Sequence, residues 1–197
     1  MRRGCALFGG SFDPIHFGHL SLLFDVWETV PLEKIEIVPA YCSPHKEKTP
    51  PRASAADRLK MVELALLRIP LPWSASSKEV EREGLSYTID TLRQCRKEKE
   101  GKWYFILSEE LVEEFSRWKE PDEILSCASP LVISSPKKKK PSRLPHSWQA
   151  LFKRGSIPSR QMAISSTDVR SRLRQGLCEE HMEPQKKKQY INTQRLY

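Results

Sequence analysis

The chain has 197 residues, and 33 Lys and Arg against 25 Asp and Glu leave a net charge of +8. That length suits one domain with a real buried core, and no apolar run reaches the roughly 18 residues of a membrane span. Five widely spaced cysteines without a C-x-x-C disfavour a disulfide frame and a zinc site, so a reducing, cytoplasmic setting is expected.

Cys5-Ala6-Leu7-Phe8 is an apolar run that reads as a buried first strand, and Gly9-Gly10 follows it. Residues without Cβ allow a tight turn and a close approach to a ligand. His16-Phe17-Gly18-His19 then opens a helix, in which Leu20, Leu23, Phe24 and Trp27 recur at helical spacing. Strand, glycine turn and helix start together aim backbone N–H groups and a positive dipole end at an anion. The two imidazoles, three apart, can face one bound group. Alone, such a pair would read as caps or surface residues; its place after a glycine turn favours a site. No carboxylate or thiol nearby completes a metal set.

Lys34 to Pro39 alternates apolar and charged residues and reads as a second strand, followed by a Pro-rich loop over 40–52. Ser54 and Asp57 resemble a capping box for a helix over 54–69, with Leu59, Val62, Leu66 and Ile69 facing inward. Trp73 to Ser76 is a short strand, and Thr88 is the expected N-cap of a helix running to about Lys99. Trp103 to Leu107, apolar throughout, reads as a central parallel strand, and Leu131 to Ser134 as another. The Lys- and Pro-rich segment at about 135–147 reads as a surface excursion. Lys137–Lys140 and Lys186–Lys188 carry much of the surplus charge and read as solvated; no aromatic residues interleave them as in a single-strand binding track. Met162-Ala163-Ile164 is the expected last strand, leading into Ser165-Ser166-Thr167 as a helix N-cap cluster, with Gly176 as the stop.

This alternation predicts an α/β fold: a doubly wound, Rossmann-like, mostly parallel sheet with helices on both faces. One domain over 1–197 is expected, with a C-terminal helical part from about 165. The chain lacks both G-x-x-x-x-G-K-[ST] and G-x-G-x-x-G, which argues against a kinase or a dehydrogenase.

Gly10-Ser11-Phe12-Asp13-Pro14-Ile15-His16-Phe17-Gly18-His19 resembles the G-x-F-x-P-x-H-x-G-H signature of the HxGH nucleotidylyltransferases. Ile164-Ser165-Ser166-Thr167-Asp168-Val169-Arg170 is similar to their I-S-S-T-x-x-R motif. Within that group the chain most resembles the bacterial nicotinate mononucleotide adenylyltransferases. Ser43-Pro44-His45-Lys46 is similar to their P-P-H-K loop, Ser86-Tyr87-Thr88 with Thr91-Leu92 to S-Y-T-x-x-T-L, and Trp118 to a Trp ten residues after a glycine. Ser108 and Glu110 stand where that family has the Gly and Asp of G-x-D, and Arg195 replaces the Gly of its closing Y-I-x-x-x-G-L-Y.

The resemblance implies adenylyl transfer from ATP to nicotinate mononucleotide with release of pyrophosphate, a step of NAD biosynthesis. It implies His16, His19 and Arg170 as catalytic residues. Gly9, Gly10, Ser11, Phe12, Gly18, Ile164, Ser165, Ser166 and Thr167 are expected around ATP. His45, Lys46, Tyr87, Thr88, Glu110 and Trp118 are expected around the mononucleotide. Mg2+ is expected on the ATP phosphates and water, with no protein metal site. ATP and nicotinate mononucleotide are the implied partners, with no nucleic acid and no membrane; no oligomeric state is implied. The alternatives are a sister adenylyltransferase using nicotinamide mononucleotide or phosphopantetheine, a nucleotide- or nucleic-acid-binding module without catalysis, and an inactive relative, given Ser108 and Glu110.

Overall fold

The computed structural model describes residues 4–44, 49–134, 144–160, 162–179 and 181–197. Among these, six parallel strands form one sheet: β1 (Gly4–Gly10), β2 (Leu32–Pro39), β3 (Trp73–Ala75), β4 (Trp103–Ser108), β5 (Ser129–Ser134) and β6 (Ser156–Pro158). Their spatial order is β3-β2-β1-β4-β5-β6, so the winding reverses between β1 and β4. A crevice opens beyond the carboxyl ends of the strands at such a reversal. The helices are α1 (Phe17–Thr29), α2 (Ala55–Leu66), α3 (Lys78–Arg82), α4 (Thr88–Glu98), α5 (Glu109–Glu114), α6 (Pro121–Cys127), α7 (His146–Arg154), α8 (Ser166–Arg174) and α9 (Gln185–Gln194). None among the described residues is long and apolar enough to cross a membrane.

Side chains alternate across a strand, and here both faces are apolar. Ala6, Phe8, Tyr104, Ile106, Leu131 and Ile133 pack with α1, α2 and Ile191 of α9. Cys5, Leu7, Trp103, Phe105, Leu107 and Val132 pack on the other side with α4, α6 and α7. The apolar run at Trp103 is therefore central and covered twice, as expected.

Three expectations shift. Ser54 caps α2, its Oγ accepting from the Asp57 N–H at 3.1 Å, but the buried face is Arg58, Met61, Val62 and Ala65. Leu59, Leu66 and Ile69 are only half-buried. The rotation delivers the Arg58 guanidinium to the carbonyls of Ser11, Ala40, Tyr41 and Ala53 at 2.6–3.2 Å. The last strand is Ser156–Pro158, and 163–165 carry no regular structure. After Pro158 the chain leaves the sheet and is tied to α1: Ser159 Oγ and the Arg160 main chain both donate to the buried Asp25 carboxylate, at 2.7 and 2.9 Å. Finally, Tyr87 is the N-cap of α4 and Thr88 its first helical residue.

Candidate active site

The loop after β1 turns on Phe12, whose φ of 48° lies in the left-handed region, and not on either glycine. An aromatic residue adopts that conformation only under constraint. The constraint is packing: the ring is buried, 5.3 Å from Phe8 and edge-on to His19 at 5.2 Å. A Cβ on Gly10 would fall 2.9 Å from the Phe12 ring, so that glycine makes room for Phe12, whereas a Cβ on Gly9 would meet nothing within 4 Å. Below the turn, the Asp13 carboxylate accepts from the Arg52 and Ala53 amides and from the Tyr197 hydroxyl at 2.7–3.1 Å.

His16 is the N-cap of α1. Its ring stacks on His19 with centroids 3.8 Å apart, and its backbone N–H donates to His19 Nδ1 at 3.3 Å. Accepting at Nδ1 leaves Nε2 to carry the hydrogen of a neutral His19. Burial, reinforced by the nearby Lys187 and opposed by Asp168, pushes His16 down to about 4. It is therefore a neutral imidazole at neutral pH, and its buried Nδ1 has no partner among the described residues. Gly18 is required beside it, since a Cβ would lie 2.9 Å from His16 Nδ1 and 3.2 Å from the Ile164 carbonyl. The first-turn amides are less available than a bare helix start would offer: Phe17 N–H donates to Met182, and those of His19 and Leu20 fold back to His16.

The second motif docks at that contact. Ser165 caps α8, with its Oγ accepting from the Asp168 N–H at 3.1 Å while Asp168 accepts from the Ser165 N–H. Ser166 Oγ donates to the Pro14 carbonyl at 2.9 Å, joining α8 to the loop after β1. Arg170 donates to the Asp13 carbonyl at 2.5 Å and to Thr167 Oγ1 at 3.2 Å. Its guanidinium is thus fixed by the protein, with Nε buried and without a partner among the described residues.

Across the crevice, the chain after β2 pairs with the segment before α4: Tyr41 N–H donates to Ser86 Oγ and Ser86 N–H to the Cys42 carbonyl. This sets Ser43 and Pro44 beside Tyr87 and Thr88. Trp118 follows a 3-10 turn (Phe115–Arg117) and packs on Phe115 and Phe105, with centroids 5.2 and 6.5 Å apart. Lys119 Nζ sits 4.8 Å from the Tyr87 ring centre and pairs with Asp90 at 3.0 Å. Ser108 has an ordinary extended backbone, φ −80°, so a side chain in place of glycine strains nothing there. Glu110 stands exposed in the first turn of α5.

One cavity of about 750 Å³ is lined by Gly9, Gly10, Ser11, His16, Gly18, His19, Ile164, Ser165, Ser166, Thr167, Arg170, Tyr87, Thr88, Glu110 and Trp118. Of the expected residues, Phe12 supports the turn from beneath and does not line the cavity. His45, Lys46 and the Lys137–Lys140 run lie outside the described residues. A groove of about 840 Å³ on the other flank of α1 holds none of the motif histidines or serines, nor Arg170. Among the described residues no group of three or more His, Cys, Asp or Glu could hold a metal ion.

Sequence reasoning missed Arg58, Lys119 and Lys187. Lys187 was expected on a solvated face with its neighbours, yet it is fully buried. Its local sequence does not set it apart: it lies inside a Lys-Lys-Lys run, and its partner Glu183 precedes Pro184, the N-cap of α9.

Residues 7–172 match the cytidylyltransferase-like family. A Clostridium botulinum (strain Kyoto / Type A2) protein named "Probable nicotinate-nucleotide adenylyltransferase" is 35% identical over 205 residues, covering 98% of each chain. A protein of the same name from Yersinia pestis (strain Pestoides F) is 35% identical over 210 residues, covering 98% of this chain and 94% of its own. The solved structure of Plasmodium falciparum nicotinic acid mononucleotide adenylyltransferase complexed with NaAD matches 100% of this chain and 98% of its own, with a TM-score of 0.77 at 19% identity. That last likeness speaks for the fold, and the family rests on the others. With most of its length matched by one family and relatives similar from end to end, the chain belongs to the cytidylyltransferase-like family, among its nicotinate-nucleotide adenylyltransferases.

Proposed function

We propose that this cavity joins ATP to nicotinate mononucleotide, giving nicotinate adenine dinucleotide and pyrophosphate. The observation that carries the reading is the closure of both motifs, far apart in sequence, on one cavity at the sheet's winding reversal. An oxygen of the mononucleotide 5′-phosphate attacks the α-phosphorus of ATP. A new P–O bond forms as the bond to the bridging oxygen breaks, and pyrophosphate leaves with that electron pair. The nucleophile is already an anion, so no general base is needed. Rate comes from positioning two anions and from donors aimed at the charge that develops.

In this reading His19, hydrogen-bearing at Nε2, serves the α-phosphate. Neutral His16, the Ser165–Thr167 helix start and the pre-oriented Arg170 hold the triphosphate, with Gly9 and Gly18 giving the nucleotide close access. Mg2+ would be carried on phosphate oxygens and water: of the two carboxylates on the cavity wall, Glu79 accepts from the Thr91 hydroxyl and Glu110 stands exposed on α5, while Asp13 is committed to two amides and Tyr197.

Tyr87, Thr88 and Trp118 would receive the pyridine ring. The start of α4 favours a negative group, and Lys119 adds a cation at the rim of the cavity. Asp90, which could have accepted from a carboxamide, is engaged by Lys119 and Arg93. A charge-assisted hydrogen bond contributes about 1.5–3 kcal/mol, so kcat/KM should favour nicotinate over nicotinamide mononucleotide by roughly 10- to 150-fold. Pyrophosphate release with ATP and each acceptor tests this. Equal values would remove the carboxylate-reading role, and turnover only with phosphopantetheine would return the sister reading.

A further inference from the structure

Lys187, in the first turn of α9, and Glu183, just before its N-cap Pro184, form a fully buried ion pair. Lys187 Nζ also donates to the Ile15 carbonyl at 2.7 Å. Anchoring a C-terminal helix does not require this. Replacing a buried ion pair with well-packed apolar side chains is often neutral or stabilising, because two charges no longer lose their hydration. An apolar residue could not, however, donate to a carbonyl of the catalytic turn, nor set a positive charge next to His16. Ile15 immediately precedes His16, and Lys187 is the cation that lowers the proton affinity of that imidazole. Glu183 completes the arrangement by keeping the ammonium in place; burial pushes Lys187 down to about 8 even with that carboxylate's attraction opposing it.

We propose that Lys187 is a positioning residue for adenylyl transfer: held by Glu183, it fixes the Ile15 carbonyl, and with it the place of His16 in the triphosphate site, with its ammonium beside that imidazole. Lys187 reaches this turn from α9, Asp168 acts on the same imidazole from α8, and His19 stacks on it from α1. The role rests on the adenylyl-transfer reading.

The test compares wild type with the double variant Glu183→Leu/Lys187→Met and with Lys187→Gln, using ATP and nicotinate mononucleotide at pH 7. The double variant should stay folded, with kcat lowered at least about 10-fold and both KM values within about 2-fold, as expected when a catalytic group is misplaced. A double variant with wild-type kcat overturns the role. A wild type without turnover sinks the reading of the reaction instead. A second measurement needs neither turnover nor the double variant: the His16 ring titration followed by NMR in wild type and Lys187→Gln. Removing the cation should raise the midpoint by at least about 0.5 pH unit. An unchanged midpoint overturns the role of Lys187 whatever the kinetics.

Discussion

Beneath the HxGH turn the charged groups are buried and bonded to backbone: Arg58 to four carbonyls, Asp13 to two amides, Lys187 to the carbonyl before His16. On the opposite wall, Lys119 and Asp90, and Arg93 with Glu120 and Glu123, pair side chain to side chain near the surface. The first kind of contact fixes where the chain runs, since a buried carbonyl that loses its donor is left unsatisfied. The second kind is screened by water and holds little of the fold. The wall that carries the HxGH turn is therefore held through its backbone, and the opposite wall can be tuned without unfolding the protein.

The most damaging way to break this contrast is at the chemistry itself. If His19 serves the α-phosphate as proposed, His19→Ala should lower kcat about 10²–10³-fold with a much smaller change in ATP binding. Near-normal kcat with a raised KM would make His19 a binding residue.

Next in size is the support. Arg58→Met removes the donors to four carbonyls, and each buried acceptor left alone costs about 1–3 kcal/mol, so the variant should lose at least about 3 kcal/mol in a denaturant titration. Arg93→Met, among the surface pairs on the opposite side, should barely move the midpoint. Similar losses for both would erase the distinction between the walls.

The smallest effect sharpens the comparison at the far wall. Trp118 packs on Phe115 and Phe105 while lining the cavity, so Trp118→Ala should weaken both nicotinate and nicotinamide mononucleotide. An aromatic pair contributes about 0.5–1.5 kcal/mol beyond burial, which corresponds to roughly 2- to 12-fold. The ratio of the two kcat/KM values should stay unchanged; a shifted ratio would assign Trp118 a part in reading the carboxylate.

Much of the site was legible because its signals are local. The Ser54 and Ser165 caps act over three residues, and the helix start at His16 follows from its own spacing. The resemblance carried further than any periodicity, since it marked residues on both walls as one site. What stayed hidden was the source of the turn, which is Phe12 and not the glycines, and the true last strand, displaced because Asp25 captures the chain after Pro158. Even the departure at Arg195 concealed a constancy: with φ of 52°, that residue holds the left-handed conformation a glycine would take there more readily.

By itself the sequence determined the alternation of strands and helices, the sheet with both faces covered, and the two motifs, because each depends on neighbours a few residues away. Only the tertiary structure decided which charges are buried. Lys187 looks like any surface lysine until Ile15, 172 residues distant, brings it a carbonyl, and Tyr197 like a chain end until Asp13 accepts its hydroxyl across 184 residues. A charge enters the interior only where such partners await it, and their arrival is set by the whole fold.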